Sequence, residues 1–339
     1  MSTQNINNLV ELFFINYKKQ KKDNILLTSL KDNRNYFTWE KTFHSIKKLS
    51  SEIKKYVNKG DRCLLISENR PEWFITDLSV MLSEAITVPA YTTYAEKDYE
   101  YIIENCNPKL IFVSNQEQFN KVKEIIKKKS FVTKIFSFEQ LDIDSESYIN
   151  VNKLFFNLDY QDLKIPDLSI KRKDPACIIY TSGTQGNPKG VILSHGGILN
   201  NCDGALDILK PLLTDQTRFL TWLPLSHSYE HTVQFVQISV GAKIFYAESI
   251  EKLIKNMNDC KPQLMTAVPR FYQNLFQKIN ASFNKATGLK KSLVLKMLEL
   301  GTKKINKQPL TIIDKLIDNI LEKIVRKKIK SQFGGELKT

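Results

Sequence analysis

The run Tyr180-Thr181-Ser182-Gly183-Thr184-Gln185-Gly186-Asn187-Pro188-Lys189-Gly190 lies between two short apolar stretches, Ala176–Tyr180 and Gly190–Leu193. Its three glycines let the backbone turn sharply and approach a ligand without a Cβ in the way. Thr181, Ser182 and Thr184 bring hydroxyls. Successive N–H groups in such a loop form a concavity for an anion, and Lys189 adds a point charge suited to phosphate. A Walker loop is excluded, because Pro188 precedes Lys189 and Gly190 follows it, where GxxxxGK[ST] is required. A Ser/Gly surface turn accounts for a lone SGT tripeptide but not for all eleven residues. The setting is strand, anion-binding loop, strand, within an α/β chain.

Upstream, the same alternation repeats. Phe43, Ile46, Leu49, Ile53 and Val57 follow helical spacing from Thr38, and Asn58-Lys59-Gly60-Asp61 stops that helix. Apolar runs predict strands at 62–66, 86–91, 109–113 and 133–138. Helices are expected from Pro71, a first-position proline, to about Ser83, and at 96–105 and 116–128. This rhythm implies a parallel sheet covered on both faces. Residues 139–172 are polar and read as a linker. Downstream, strands are expected at 218–223, 243–246 and 264–268, and the segment 235–247 is expected to hold a helix end before its strand. Helices are expected from near Ser194, at about 251–258 and at 269–281, and 282–333 is Lys-rich and helical in pattern. The expected organisation is two βαβ-type subdomains, 1–170 and 171–339.

The chain carries a formal charge of +14, but only seven of its 50 basic residues are arginine. Nucleic-acid grooves favour the forked guanidinium, so no nucleic-acid partner is expected. The lysine excess reads as surface composition or as attraction to polyanions and an anionic membrane face. Cys63, Cys106, Cys177, Cys202 and Cys260 are widely spaced with no CxxC, as in a reducing compartment. The first residues lack a signal-peptide pattern, and no 18-residue apolar run exists. A cytoplasmic location, at most peripheral to a membrane, is expected.

Further along stands Leu223-Pro224-Leu225-Ser226-His227-Ser228-Tyr229-Glu230-His231. Pro224 bends the chain, so that His227 and Tyr229 can point into a cleft. A lone His is more often a hydrogen-bonded structural residue; of the two, His227 is the stronger functional candidate and His231 the weaker. A zinc site on His227 and His231 is rejected: HExxH order and a third ligand are missing, and the segment follows a strand and a proline instead of lying inside a clear helix. Thr266-Ala267-Val268-Pro269-Arg270-Phe271-Tyr272 follows, with Arg270 at a helix start. Leu310, Ile313, Leu316, Ile317, Ile320, Leu321 and Ile324 form an amphipathic stripe. It is read as core, with docking on a membrane or acyl substrate as the alternative.

The stretch 180–190 resembles the signature loop of the adenylate-forming superfamily of acyl-CoA synthetases, luciferases and peptide-synthetase adenylation domains, [Y/F]TSGT[T/S]G.PKG. It departs from the pattern at Gln185, whose amide can still donate to phosphate. Residues 223–231 resemble that family's LPL.H.[F/Y]E segment. Val268-Pro269-Arg270, the helical stretch and Phe333-Gly334-Gly335 resemble its long-chain fatty-acid branch. Ser67-Glu68-Asn69-Arg70-Pro71-Glu72-Trp73 and Val88-Pro89-Ala90-Tyr91-Thr92-Thr93 are similar to its quieter N-terminal motifs, where Asn69 and Arg70 are expected to fix a turn.

The resemblance implies the large N-terminal domain of a long-chain fatty-acid–CoA ligase that uses a fatty acid, ATP, Mg²⁺ and coenzyme A. It implies that Thr181, Ser182, Gly183, Thr184, Gln185, Gly186 and Lys189 grip the ATP phosphates. It places His227 near the acyl carboxylate, and Tyr229 and Arg270 at an acyl tunnel. The family's later metal, ribose and adenine motifs and its small C-terminal domain with a catalytic lysine have no counterpart here, so the expectation is an incomplete N-terminal part, inactive by itself, with no metal ligand of its own. Two other readings stay open: a family member acting on medium-chain, aryl or amino acids, and a non-catalytic acyl- or phosphate-binding protein. Oligomeric state is not legible.

Overall fold

The computed structural model describes residues 3–338 except 32–34, 145, 163, 182–187, 215 and 286. They fall into two compact units, Met1–Glu248 and Ser249–Thr339.

The first unit runs α1 (Leu9–Lys19), β1 (Ile25–Ser29), β2 (Tyr36–Thr38), α2 (Trp39–Ile53), β3 (Arg62–Ile66), α3 (Pro71–Leu82), β4 (Ile86–Ala90) and α4 (Glu96–Cys106). It continues through β5 (Leu110–Val113), α5 (Gln116–Ile126), β6 (Lys134–Ser137), β7 (Tyr148–Asn150), α6 (Val151–Leu154), β8 (Pro175–Thr181), β9 (Lys189–Ser194), α7 (His195–Leu209), β10 (Arg218–Thr221), α8 (Ser228–Ser239) and β11 (Lys243–Tyr246). The helix starts have local causes. Thr38 Oγ1 accepts from Lys41 N at 3.1 Å, Asn115 Oδ1 from Gln118 N at 3.1 Å and Ser194 Oγ from Gly197 N at 3.1 Å. Each satisfies an N–H that a helix leaves unpaired. Pro71 opens α3, and Asn107 in the left-handed region closes α4.

The larger sheet has the order β7-β6-β5-β3-β4-β8-β9. All its neighbours are parallel except β8 and β9. The apolar runs in β3 and β5 are buried as a parallel sheet requires. Leu64, Ile66, Val88, Ile111 and Val113 join Tyr99, Ile102 and Ile103 of α4 and Phe119 and Val122 of α5 in one core. The second sheet takes four strands of this unit in the order β10-β11-β1-β2.

The expected division at residue 170 runs through both sheets. β8 lies beside β4, with Thr87 opposite Cys177, and β1 lies parallel to β11, with Leu27 opposite Ile244. Buried strand backbones must find hydrogen-bond partners wherever in the sequence these lie, so the compact units divide between Glu248 and Ser249. The stretch 139–172 also holds β7 and α6.

The second unit comprises α9 (Leu253–Cys260), β12 (Leu264–Met265), α10 (Pro269–Asn284), α11 (Gly288–Ile305), α12 (Ile312–Leu321), a five-residue π segment (Glu322–Arg326) and α13 (Lys327–Gln332). Gly334, at φ +81°, lies where a Cβ would strike Met257 O and Lys261 Cα. That gives the Phe333-Gly334-Gly335 run a packing reason. All five cysteines are buried and free. Among the described residues no helix is long and apolar enough to cross a membrane.

Candidate active site

Thr181 ends β8 and Lys189 begins β9, and the two are cross-strand partners in an antiparallel hairpin. The loop therefore springs from the carboxyl end of a strand in a largely parallel sheet, the edge where open α/β folds bind ligands. Ser182, Gly183, Thr184, Gln185 and Gly186 lie outside the described residues. Thr181 and Lys189 are exposed, and Lys189 makes no ion pair with a described carboxylate. Gly190 is needed for close approach: a Cβ there would stand 2.9 Å from Ile178 Cγ2 and 3.2 Å from Tyr180 Cζ. Tyr180 is fixed beneath the hairpin, its hydroxyl donating to Asn105 Oδ1 at 2.5 Å. Burial pushes that phenol's pKa above its ordinary value.

His227 is exposed and caps α8, its Nδ1 accepting from Tyr229 N at 3.2 Å. Tyr229 is 52% exposed. The bend before them is clamped by Asn69, on the turn after β3. Its Nδ2 donates to Leu223 O at 2.7 Å and its Oδ1 accepts from Leu225 N at 3.0 Å. One amide thus satisfies the backbone on both sides of Pro224 and fixes where α8 starts. The turn that carries Asn69 is itself held. Arg70 Nε lies 3.0 Å from Glu72 Oε2, and its Nη1 lies 2.8 Å from Glu139 Oε1. Asn152 Nδ2 donates to Glu72 Oε1 at 3.2 Å. Burial of Glu72 would raise its pKa, but Arg70 outweighs burial and holds the carboxyl below its usual range.

His227 and His231 diverge. The segment expected to lie outside a clear helix is the first turn of α8, with His231 N donating to His227 O at 3.0 Å. His231 turns into the core, where its Nε2 lies 2.8 Å from Asp77 Oδ2, both side chains fully buried. Burial alone would lower the imidazole pKa, but the Asp77 carboxylate prevails and raises it to about 10. Trp73 meets the ring edge-on at 5.3 Å. His195, by contrast, accepts from Leu9 N at 3.3 Å and is held neutral, its pKa lowered by burial to about 4. Sequence reasoning passed over Asp77. Its signal was a carboxylate inside the apolar run Trp73–Leu82, where a lone charge needs a partner.

Arg270 belongs to the second unit. It is exposed in the first turn of α10 and forms no ion pair with a described residue. Among the described residues, no group of three or more His, Cys, Asp or Glu is arranged to hold a metal ion.

Residues 14–323 match the sequence model described as AMP-binding enzyme. The chain is 29% identical over 317 residues to long chain acyl-CoA synthetase 3 of Arabidopsis thaliana, covering 89% of this chain and 46% of that protein. It is 27% identical to long-chain-fatty-acid–CoA ligase 5 of Rattus norvegicus, covering 81% and 41%. The chain thus spans about half the length of the curated relatives it matches. Among solved structures, a natural red-emitting luciferase from Phrixothrix hirtus superposes with a TM-score of 0.67 at 18% identity, over 78% of this chain and 51% of that one. The N-terminal domain of FACL13 from Mycobacterium tuberculosis gives 0.63 at 17% identity, over 78% and 64%. These likenesses show a shared fold. With the signature loop on the β8–β9 hairpin and the family match over most of its length, the chain belongs to the AMP-binding enzyme family.

Proposed function

We propose that this chain is the phosphate- and acyl-binding part of an ATP-dependent long-chain fatty-acid–CoA ligase. The observation that carries the reading is the signature sequence 180–190, whose described ends Thr181 and Lys189 lie at the carboxyl edge of the parallel sheet, with the Lys189 ammonium unpaired among the described residues. Curated relatives named as long-chain acyl-CoA synthetases support the substrate class.

In this reaction a fatty carboxylate oxygen attacks the α-phosphorus of ATP. A P–O bond breaks, and pyrophosphate leaves from an acyl-AMP. The coenzyme A thiol then attacks the acyl carbon, loses its proton and expels AMP. Thr181, Lys189 and the loop between them hold the leaving pyrophosphate and neutralise its charge, a contribution of positioning and electrostatics. His227, clamped through Asn69, faces the reacting carboxylate, and Tyr229 borders the acyl path. No step is assigned to Mg²⁺.

Titration calorimetry of the chain with ATP and pyrophosphate tests the loop. Removing one charge-assisted contact by Lys189→Ala should weaken binding about 10- to 150-fold. Unchanged affinity would reduce Lys189 to a surface lysine. Chain length tests the acyl assignment. Each buried methylene contributes about 0.8 kcal/mol, so palmitate should be preferred to octanoate by about tenfold or more even with partial burial. Tyr229→Ala should alter that ratio. Equal affinity for the two acids would defeat the long-chain reading and leave the adenylate-forming one standing.

A further inference from the structure

The amphipathic stripe of the second unit divides into two faces. Leu310, Ile317 and Leu321 turn inward against Met297 and Leu300 of α11. Ile312, Leu316, Ile320 and Ile324, spaced four residues apart, remain 80%, 61%, 54% and 59% exposed. Side chains four apart stack along one helix face, so these make a continuous apolar ridge. Ile313 lies beside it, 68% exposed.

The charges of this helical region are sorted in the same sense. Asp314 and Asp318 are buried on the inner face. Asp314 pairs with Lys296 and Lys303, at 3.3 and 3.4 Å. Asp318 pairs with Arg326 at 2.8 Å and with Lys304. Glu299 and Glu322 are also paired, with Lys303 and Arg326. All four carboxylates of residues 288–332 are therefore compensated, whereas that stretch carries twelve Lys or Arg. Lys315, Lys323 and Lys327 are exposed on the same helical stretch and form no ion pair with a described residue. The outward face thus presents isoleucine and leucine among uncompensated ammonium groups.

We infer that the Ile312–Ile324 ridge and its lysines form a docking surface for an anionic lipid bilayer, the ridge entering the acyl boundary and the lysines meeting the phosphates. An interfacial helix combines an apolar face with Lys-rich flanks in this way, and its binding adds buried apolar area to attraction for anionic lipid. A protein partner covering the ridge would need its own acidic rim. A second copy of this chain would set lysines against lysines. The surface is independent of the ligase assignment, because it uses no residue of the phosphate loop or of the His227 turn.

The test is co-sedimentation of the whole chain with phosphatidylcholine vesicles, with and without phosphatidylglycerol, free of ATP and coenzyme A. Binding should require phosphatidylglycerol and weaken with salt. Lys323→Gln with Lys327→Gln should reduce it about tenfold or more, as should Leu316→Ser with Ile320→Ser. Both pairs lie on exposed positions, and far-ultraviolet circular dichroism should show unchanged helix content. Binding that survives both pairs, or that is equal on neutral vesicles, overturns the proposal. So does the absence of vesicle binding, with or without a concentration-dependent dimer that Leu316→Ser with Ile320→Ser abolishes.

Discussion

Asp77 occupies a helix in which all twelve residues from Pro71 to Leu82 are buried, so its carboxylate must be answered from another element. His231 on α8 supplies the proton and the charge. The imidazole keeps that proton up to about pH 10, against about 6.5 in an unfolded chain. The sign follows from proton linkage: the pair's stabilisation is complete below about 6.5 and is lost as pH rises through about 10. Urea melts across that window should show an alkaline decline in the wild type. Asp77→Asn should start about 3–5 kcal/mol lower, because one partner of a buried pair is removed, and its decline should be shallower, because burial without the carboxylate favours the neutral ring. Curves of equal slope would show that His231 is already neutral at pH 7. Asn69 has a different duty, since both halves of its amide are committed to the backbone around Pro224. Asn69→Ala should cost about 1–3 kcal/mol for the polar groups left unpaired. Asn69→Asp should not rescue it, because a carboxylate would face Leu223 O where a donor is needed. Recovery of full stability with Asp would refute the clamp.

The β8–β9 hairpin shows what local sequence can specify at the scale of an element. The loop glycines predict a turn, but the demand for Gly190 comes from across the ladder, where Ile178 and Tyr180 leave no room for a Cβ. Gly190→Ala should therefore destabilise by about 1–3 kcal/mol through overpacking. Gly204, mid-helix in α7, has nothing within 4 Å of its virtual Cβ, and Gly204→Ala should stabilise by about 0.5–1 kcal/mol. Paired denaturant titrations check both signs, and two changes of like sign would refute the contrast. The same distinction explains which elements were legible. β3, α3, α4 and β5 carry their own periodicity, caps and stops, and stand within a residue or two of expectation. α1, β1 and β2 were not anticipated. Ile25–Ser29 is a short run that pairs with β2 nearby, but its other partner, β11, lies more than 200 residues away, and its place in the sheet follows from that long-range pairing. Only the end of α8, after Phe235, was legible, and its start was missed for a related reason. It has His227 as its cap, an uncommon capping residue, and its buried Glu230, His231, Gln234 and Gln237 disguise an inward face as a polar one.

Among the described residues the two compact units differ in how much core they own, and the difference sets their order of opening. In the first, strands β3, β4 and β5 share a cluster of fifteen buried residues that α4 and α5 seal. In the second, the cluster under α11 and α12 has three buried members among the described residues, Met297, Leu300 and Leu321, edged by half-buried side chains. Its ion pairs are mostly half-exposed: Lys303 and Glu299 are 31% and 46% accessible, and such pairs contribute about 0–1 kcal/mol each. Few buried apolar contacts and solvent-exposed helices mark a region that opens below the global unfolding free energy. Native-state hydrogen exchange should therefore protect the amides of Leu64, Leu65, Ile111 and Phe112 most strongly. Those of Leu298, Gly301, Leu316 and Ile320 should exchange about 100-fold faster or more, a gap of about 2.7 kcal/mol. The urea dependence should also be shallower for the second set, because a local opening exposes less surface than global unfolding. If an anionic bilayer covers the Ile312–Ile324 ridge, vesicles containing phosphatidylglycerol should slow exchange in the second set and leave the first unchanged. Equal protection in both sets without lipid would mean that the helical region shares the cooperative core of the first unit, and the ordering of stabilities argued here would fail.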